Sequence, residues 1–398
     1  MMSPIPYGKQ DVTEEDILAV VETLKSDYLT QGPQIEKFEK AFAEYVGSKY
    51  AIAVSNGTTA LHLSVLSLGL KPGEKVITTP ITFAASANCI LYCGGEVIFS
   101  DIDPKTYLID LNRVEDLLRK DNKIRGIVPV DFAGRAVNLE DVKTLADKYH
   151  AWILEDSCHA PGGYFQDSSG TKQLCGNGQF ADLSIFSFHP VKHIAAGEGG
   201  MITTNNEEHF QKLSELRTHG ITRDKNKFQN NIEVANSSQN NSEYPGWYME
   251  MQSLGYNYRL TDIQAALGLS QLSRADGGIG KRRKIAEGYY DAFKGKSWLT
   301  GQSGVVDGHA YHLYIIEVDN RLELYNHLRS KNVFAQVHYI PVHLMPYYQS
   351  FGWKLGDLPN AEKYYSRCLS IPMYPTLTSD KQEYIVQTIN EFYDSRTS

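Results

Sequence analysis

"SIFSFHPVKHIAAGEGG", residues 184–200, decides the reading of this chain. A single lysine, Lys192, follows an aromatic, β-rich run and stands just ahead of Gly197, Gly199 and Gly200. Lysine is seldom fully buried, because its ammonium is costly to strip of water. A lysine directed toward an apolar core needs either a route to the surface along its own stem or a chemical partner inside.

Outward from it, short β-rich runs alternate with helical spacing. "YAIAVS" (50–55), "EKVITTP" (74–80), "GEVIFSDID" (95–103), "IRGIVPVDF" (124–132), "AWILEDS" (151–157), "ADLSIFSF" (181–188) and "GGMITTN" (199–205) read as strands. "TALHLSVLSLG" (59–69), "DLNRVEDLLRK" (110–120) and "LEDVKTLADKYH" (139–150) read as helices. Apolar strands separated by helices predict an α/β fold with a mainly parallel central sheet, its ligands at the C-terminal strand ends. Residues 222–245 are rich in Asn, Ser and charge and read as a loop, and "TDIQAALGLSQLSRA" as a helix starting at Thr261 or Asp262. The C-terminal part predicts a smaller α+β unit; the divide is drawn at 1–250 and 251–398.

Bulk properties exclude several classes. A chain of 398 residues with 42% apolar and 22% charged residues has an ordinary globular composition, long enough for two or three compact units. A net charge of −8 argues against nucleic acid or an anionic membrane as a partner. Five cysteines, odd in number and without paired CxxC units, fit a reducing, cytoplasmic setting, and the N-terminus shows no secretory signal pattern. Residues 76–95 carry no formal charge, but Pro80, Ser86, Asn88 and Gly94–Gly95 interrupt them, predicting strand, turn, helix and turn rather than a membrane span.

Three further stretches bear on Lys192. In "EDSCHA" (155–160) two carboxylates emerge at a strand end, with His159 beside them. They read either as a surface turn or as an acid that holds a cationic ring nitrogen. In "SNGTTALHL" (55–63) a small polar turn opens a helix whose free N–H groups favour an anion. It is not a Walker loop. "TTPITFAAS" (78–86) puts Phe83 after a strand end, as core or as a stacking surface. Lysine, acid, anion site and aromatic face together match pyridoxal phosphate, with pyridoxamine phosphate as its amino-carrying form.

These pieces, with "YLTQGPQIEKFE" (28–39), "GYNYRLTDIQAALG" (255–268), "HYIPVHLMPYY" (338–348) and "SIPMYP" (370–375), resemble the DegT/DnrJ/EryC/StrS sugar-nucleotide aminotransferases over nearly the whole chain. The resemblance implies a fold-type I pyridoxal-phosphate enzyme, with a large cofactor-binding domain and a smaller C-terminal domain. It implies Lys192 as the Schiff-base lysine and proton carrier, Asp156 on the ring nitrogen and His159 beside the ring. Phe83 would stack on the ring. Thr58, Thr59 and Ser187 would hold the phosphate, joined by Asn257 from the neighbouring subunit of a homodimer with sites at its interface. Tyr7, Tyr28, Leu29, Thr30, Gln31, His338, Tyr339 and His343 would contact the sugar nucleotide. Within the family, "FHPVKH", "QVHYIPVHLMPYY" and "YLTQGP" are most similar to members of the pseudaminic acid pathway. These move an amino group from L-glutamate to C4 of a UDP-linked 4-keto-6-deoxy-N-acetylhexosamine.

Arg217, Arg223 and Arg259 are candidates for the glutamate carboxylate. Alternatives are another NDP-4-ketosugar, or a cofactor-binding regulator without turnover. A C3-dehydratase of the same fold would carry histidine in place of Lys192. A metal hydrolase built from His159, His189, His193 and His219 lacks ligand spacing such as HExxH, and no metal is expected.

Overall fold

The computed structural model describes residues 3–236, 243–300 and 304–397. Seven strands form the central sheet: β1 (Tyr50–Val54), β2 (Lys75–Thr78), β3 (Glu96–Phe99), β4 (Ile124–Val128), β5 (Trp152–Asp156), β6 (Leu183–Ser187) and β7 (Gly200–Thr204). Their order is β1-β7-β6-β5-β4-β2-β3. β7 runs antiparallel to both neighbours, and the other pairs are parallel. Each strand falls inside one of the seven apolar runs of the sequence. Ile52, Val76, Ile127, Ile153 and Ile185 along these strands are fully buried, each such side chain contributing about 1.5–3 kcal/mol by leaving water. Gly126 of β4 is required by its neighbour: a Cβ there would lie 2.4 Å from the Trp152 ring on β5. Gly126→Ala is expected to cost about 1–3 kcal/mol by overpacking, read as a lowered denaturation midpoint with an unchanged m-value.

Eight helices matter to the site and its scaffold: α1 (Glu14–Leu24), α2 (Pro33–Val46), α3 (Gly57–Ser67), α4 (Ala85–Tyr92), α5 (Leu111–Lys120), α6 (Leu139–Tyr149), α7 (Asp262–Leu272) and α8 (Ala275–Phe293). Their starts follow from capping side chains. Asn56 accepts from the Thr59 N–H at 2.8 Å, Asp110 from Asn112 at 2.9 Å and Asn138 from Glu140 at 3.1 Å. At α7, Thr261 and Gln264 form a reciprocal capping box. The uncharged run 76–95 resolves into β2, a turn and α4, and no helix among the described residues is long and apolar enough to cross a membrane.

A second core gathers Tyr289, Phe293, Ile316, Leu328, Leu369 and Ile389 around an antiparallel pair, β8 (Tyr314–Glu317) and β9 (Cys368–Ile371). Elements cross the expected divide at 250/251 in both directions. Helix α7 packs against α1 and α2, with Ala265 and Leu272 beside Phe38 and Phe42. Ile5 joins the second core, and Ile5–Pro6 pairs in parallel with Val333–Phe334. The 165–180 stretch forms a hairpin of Tyr164–Gln166 and Lys172–Leu174. The polar loop carries short helices at Lys225–Lys227 and Ile232–Asn236; its residues 237–242 lie outside the described residues.

Candidate active site

The C-terminal ends of β1, β2, β5 and β6 open onto one cavity of about 510 Å³, where a parallel sheet is expected to place its ligand. Lys192 reaches it from the loop after β6. That loop is held by backbone bonds from Lys192 N–H to His189 O (2.8 Å), Ala196 N–H to Phe188 O (2.9 Å) and Phe188 N–H to Gly199 O (2.8 Å). The surrounding protein lowers the affinity of Lys192 for its proton by withholding water, and Cys158 and Asp156 oppose that shift.

Asp156, the last residue of β5, lines the same cavity and is buried. Its Oδ2 accepts from Ser86 Oγ at 2.6 Å, and its Oδ1 from the Cys158 N–H at 3.2 Å. Its backbone is clamped by Pro129 O and the Asp131 N–H. Glu155 points to the opposite face, as strand alternation requires. There its Oε2 accepts from the Gly176 N–H at 2.9 Å, beside Asp131. Burial raises the pKa of both Glu155 and Asp131, and the Ser157 hydroxyl donates to Asp131. Of the two carboxylates in "EDSCHA", only Asp156 faces the cavity.

His159 accepts from the Ala133 N–H at Nδ1 (3.3 Å) and meets Tyr339 OH at Nε2 (3.3 Å). Burial holds it well below the usual histidine range, so the ring is neutral, and the Tyr339 hydroxyl is pushed up for the same reason. Phe83, 63% exposed, sits at the rim. Thr58 and Ser187 line the floor at the N-terminus of α3. A Cβ on Gly57 would come within 3.1 Å of Ser187 Cβ, so the glycine leaves the helix end open. Thr59 is instead a cap: its N–H and hydroxyl are bonded to Asn56 and it does not line the cavity.

Of the expected sugar contacts, Tyr7, His338 and Tyr339 line the cavity. His338 is bonded through Nδ1 to Ser370 Oγ at 2.9 Å, and burial pushes its pKa down to about 3. Tyr28, Leu29, Thr30, Gln31 and Asn257 lie outside the cavity of their own chain, the first four on the exposed surface. Asp262 holds that surface segment by accepting from the Gly32 and Gln34 N–H groups at 2.7 and 2.9 Å. His343 departs from expectation. It is fully buried, its Nε2 lies 3.0 Å from Glu362, and it packs near Phe99 and Trp353 rather than in the cavity. Arg217 is likewise committed, to Glu39 and to Ala53 O, and neither Arg223 nor Arg259 lines the cavity.

Ser86 and His312 are cavity residues that sequence reasoning missed. Ser86 stands at the end of the quoted "TTPITFAAS", where its spacing from Phe83 could have drawn attention. His312, with its ring 4.4 Å from that of His159, lies in "HAYHLY", which carries no motif read from the sequence.

The chemistry of these donors suits pyridoxal phosphate. Asp156 is a buried carboxylate with no ion pair among the described residues, poised for a cationic ring nitrogen; the open end of α3 suits a phosphate; and Lys192 faces both. A parallel sheet bearing this lysine, acid and helix end defines the class of fold-type I pyridoxal-phosphate enzymes. Residues 10–390 match the DegT/DnrJ/EryC1/StrS aminotransferase family, and the chain belongs to it.

Two relatives and one solved structure illustrate the match. The spore coat polysaccharide biosynthesis protein SpsC of Bacillus subtilis (strain 168) is 36% identical over 397 residues, covering 97% of this chain and 96% of that protein. A UDP-4-amino-4,6-dideoxy-N-acetyl-beta-L-altrosamine transaminase of Campylobacter jejuni (serotype O:23/36, strain 81-176) is 34% identical over 394 residues, with the same two coverages. Helicobacter pylori PseC, an aminotransferase involved in the biosynthesis of pseudoaminic acid, superposes with a TM-score of 0.87 at 31% identity, over 99% of this chain and 100% of that one. The protein is thus a sugar aminotransferase dependent on pyridoxal phosphate.

Proposed function

We propose that this enzyme transfers the amino group of L-glutamate to C4 of a UDP-linked 4-keto-6-deoxy-N-acetylhexosamine, as in pseudaminic acid biosynthesis. The observation that carries the catalytic part is the convergence of Lys192, Asp156 and the α3 N-terminus on one cavity. The substrate rests on the names borne by the Campylobacter and Helicobacter relatives. SpsC, at comparable identity, keeps other NDP-4-ketosugars as the second reading.

Bound in the cavity, pyridoxal phosphate supplies a ring that spreads the negative charge left when a carbon loses its proton. Lys192 would hold the cofactor's carbonyl carbon and, once released, carry the proton between donor carbon and cofactor. Its lowered pKa favours the neutral amine this needs. Asp156, fixed by Ser86 and Cys158, would keep the ring nitrogen protonated. Gly57, Thr58 and Ser187 would hold the phosphate, Phe83 would cover one ring face and neutral His159 would lie beside the ring. Tyr7, His338 and Tyr339 form the wall left for the sugar. The same lysine serves both half-reactions, so the kinetics are ping-pong. Tyr28–Gln31 and Asn257, outside their own cavity, would complete the site of a second copy in a cytoplasmic homodimer.

The test follows the cofactor's visible absorption, first with L-glutamate and then with UDP- and dTDP-4-keto-6-deoxyhexoses, both C5 epimers of the N-acetylated UDP sugar included. Glutamate should bleach the band, and only the UDP-N-acetyl L-arabino ketone should restore it. Restoration by another ketosugar alone would move the enzyme to a different pathway; no bleaching by any amino acid would sink the donor half-reaction.

A further inference from the structure

A second, smaller cavity of about 120 Å³ lies beside the Lys192–His193 turn, lined on its other sides by the start of α8 and by Lys9 and Asp11 from the N-terminal segment. Its walls are unusually positive. Arg282 is 1% exposed, yet no carboxylate pairs with it among the described residues. Its Nη1 donates to the carbonyls of Tyr311, His312 and Met373 at 3.2, 3.3 and 2.9 Å, and its Nε has no partner. A buried cation with no counter-charge is a costly arrangement. Burial accordingly pushes its guanidinium pKa down to about 9.

Two further sources of positive potential reach the same space. Helix α8, 19 residues long, begins there with no side-chain cap on its first N–H groups, and Gly277 and Gly278 of its first turn line the cavity. Asp276, the acid of that first turn, accepts from Tyr45 OH at 3.1 Å and offsets part of the positive end of the helix. Lys9 and Lys281 stand exposed at the mouth. The single acid in the lining, Asp11, is paired with Arg274 at 3.3 Å, and Arg274 also binds Asp16. Arg282, Lys9 and Lys281 have no ion-pair partner among the described residues.

We propose that this cavity is a binding site for a small monovalent anion, a halide or a short carboxylate, distinct from the cofactor cavity. The volume admits only a few atoms, which excludes a sugar nucleotide. An anion held there would favour the ammonium form of Lys192 and so oppose the effect of burial on that residue. The inference stands whether or not the proposed sugar substrate is correct.

The test uses crystals of the holoenzyme soaked in sodium bromide, with bromide and acetate titrations in solution by calorimetry. A bromide anomalous peak beside Arg282 is expected, and loss of that peak in excess acetate would assign the carboxylate class, its persistence the halide. Lys9→Ala combined with Lys281→Ala removes two exposed charges without touching the core and should weaken binding about tenfold. Arg282→Met should abolish binding if the variant folds. No peak in this cavity at saturating bromide, or unchanged affinity in the Lys9→Ala, Lys281→Ala protein, would overturn the site.

Discussion

Lys192→Ala should abolish amino transfer, lowering the rate of each half-reaction by about 10⁴-fold or more, since in the proposed mechanism one residue is both nucleophile and proton carrier. Neither His193 nor His159 is placed to replace it. His193 is adjacent in sequence, but its Nε2 is bonded to Ala310 O at 2.9 Å and its ring borders the smaller cavity rather than the cofactor cavity. His159 accepts from the Ala133 N–H through Nδ1 and meets Tyr339 through Nε2, so neither nitrogen is free to travel. Lys192→Arg should be as inactive, because a guanidinium stays charged at working pH. Stopped-flow absorbance under saturating glutamate measures the effect. A Lys192→Ala rate within tenfold of wild type would remove the lysine from the chemistry.

Most of the sheet was legible in the sequence because strands buried on both faces must be continuously apolar, whereas the helices between them show spaced apolar residues and polar caps. Val114 and Leu118 of α5, four apart and buried, are such a pair. The antiparallel direction of β7 was not legible, since "GGMITTN" reads alike in either sense. Site residues divide by the same logic. Asp156 ends a strand and Lys192 and Phe83 follow strand ends, and strand ends can be found from pattern. His312 precedes β8 in the second core, so its meeting with His159 depends on how two packed units face one another, which no local pattern encodes. His343 is the converse error. Its stretch resembles a binding wall, but the chain turns it inward against Glu362, and packing rather than motif decides its role.

Asp156→Asn should lower the turnover of both half-reactions by about 10²–10³-fold, the scale lost when one preorganised electrostatic group is removed from a buried site. Asparagine matches aspartate in shape; its Oδ1 can accept from the Cys158 N–H while its Nδ2 donates to a Ser86 hydroxyl that turns to accept, so the frame is kept and the charge is lost. The cofactor should therefore remain bound while its ring nitrogen loses the anion that keeps it protonated. That separates charge from scaffolding: activity should collapse while the thermal stability of the cofactor-free protein stays near that of wild type or rises, because without the ring the variant no longer buries an unpaired carboxylate. Ser86→Ala is the complementary experiment. It keeps the charge and removes one hydrogen bond to it, worth about 1.5–3 kcal/mol, and should slow turnover less than Asp156→Asn does. If Ser86→Ala proved the more damaging change, Asp156 would act chiefly through its position in the β5 framework, and the acid acting on the ring nitrogen would have to be sought elsewhere. Glu155 cannot serve as that substitute. It lies one residue away but on the other face of the strand, with Asp131 beside it and its Oε2 bonded to Gly176. In a β-strand, a carboxylate displaced by one position serves the opposite side of the sheet.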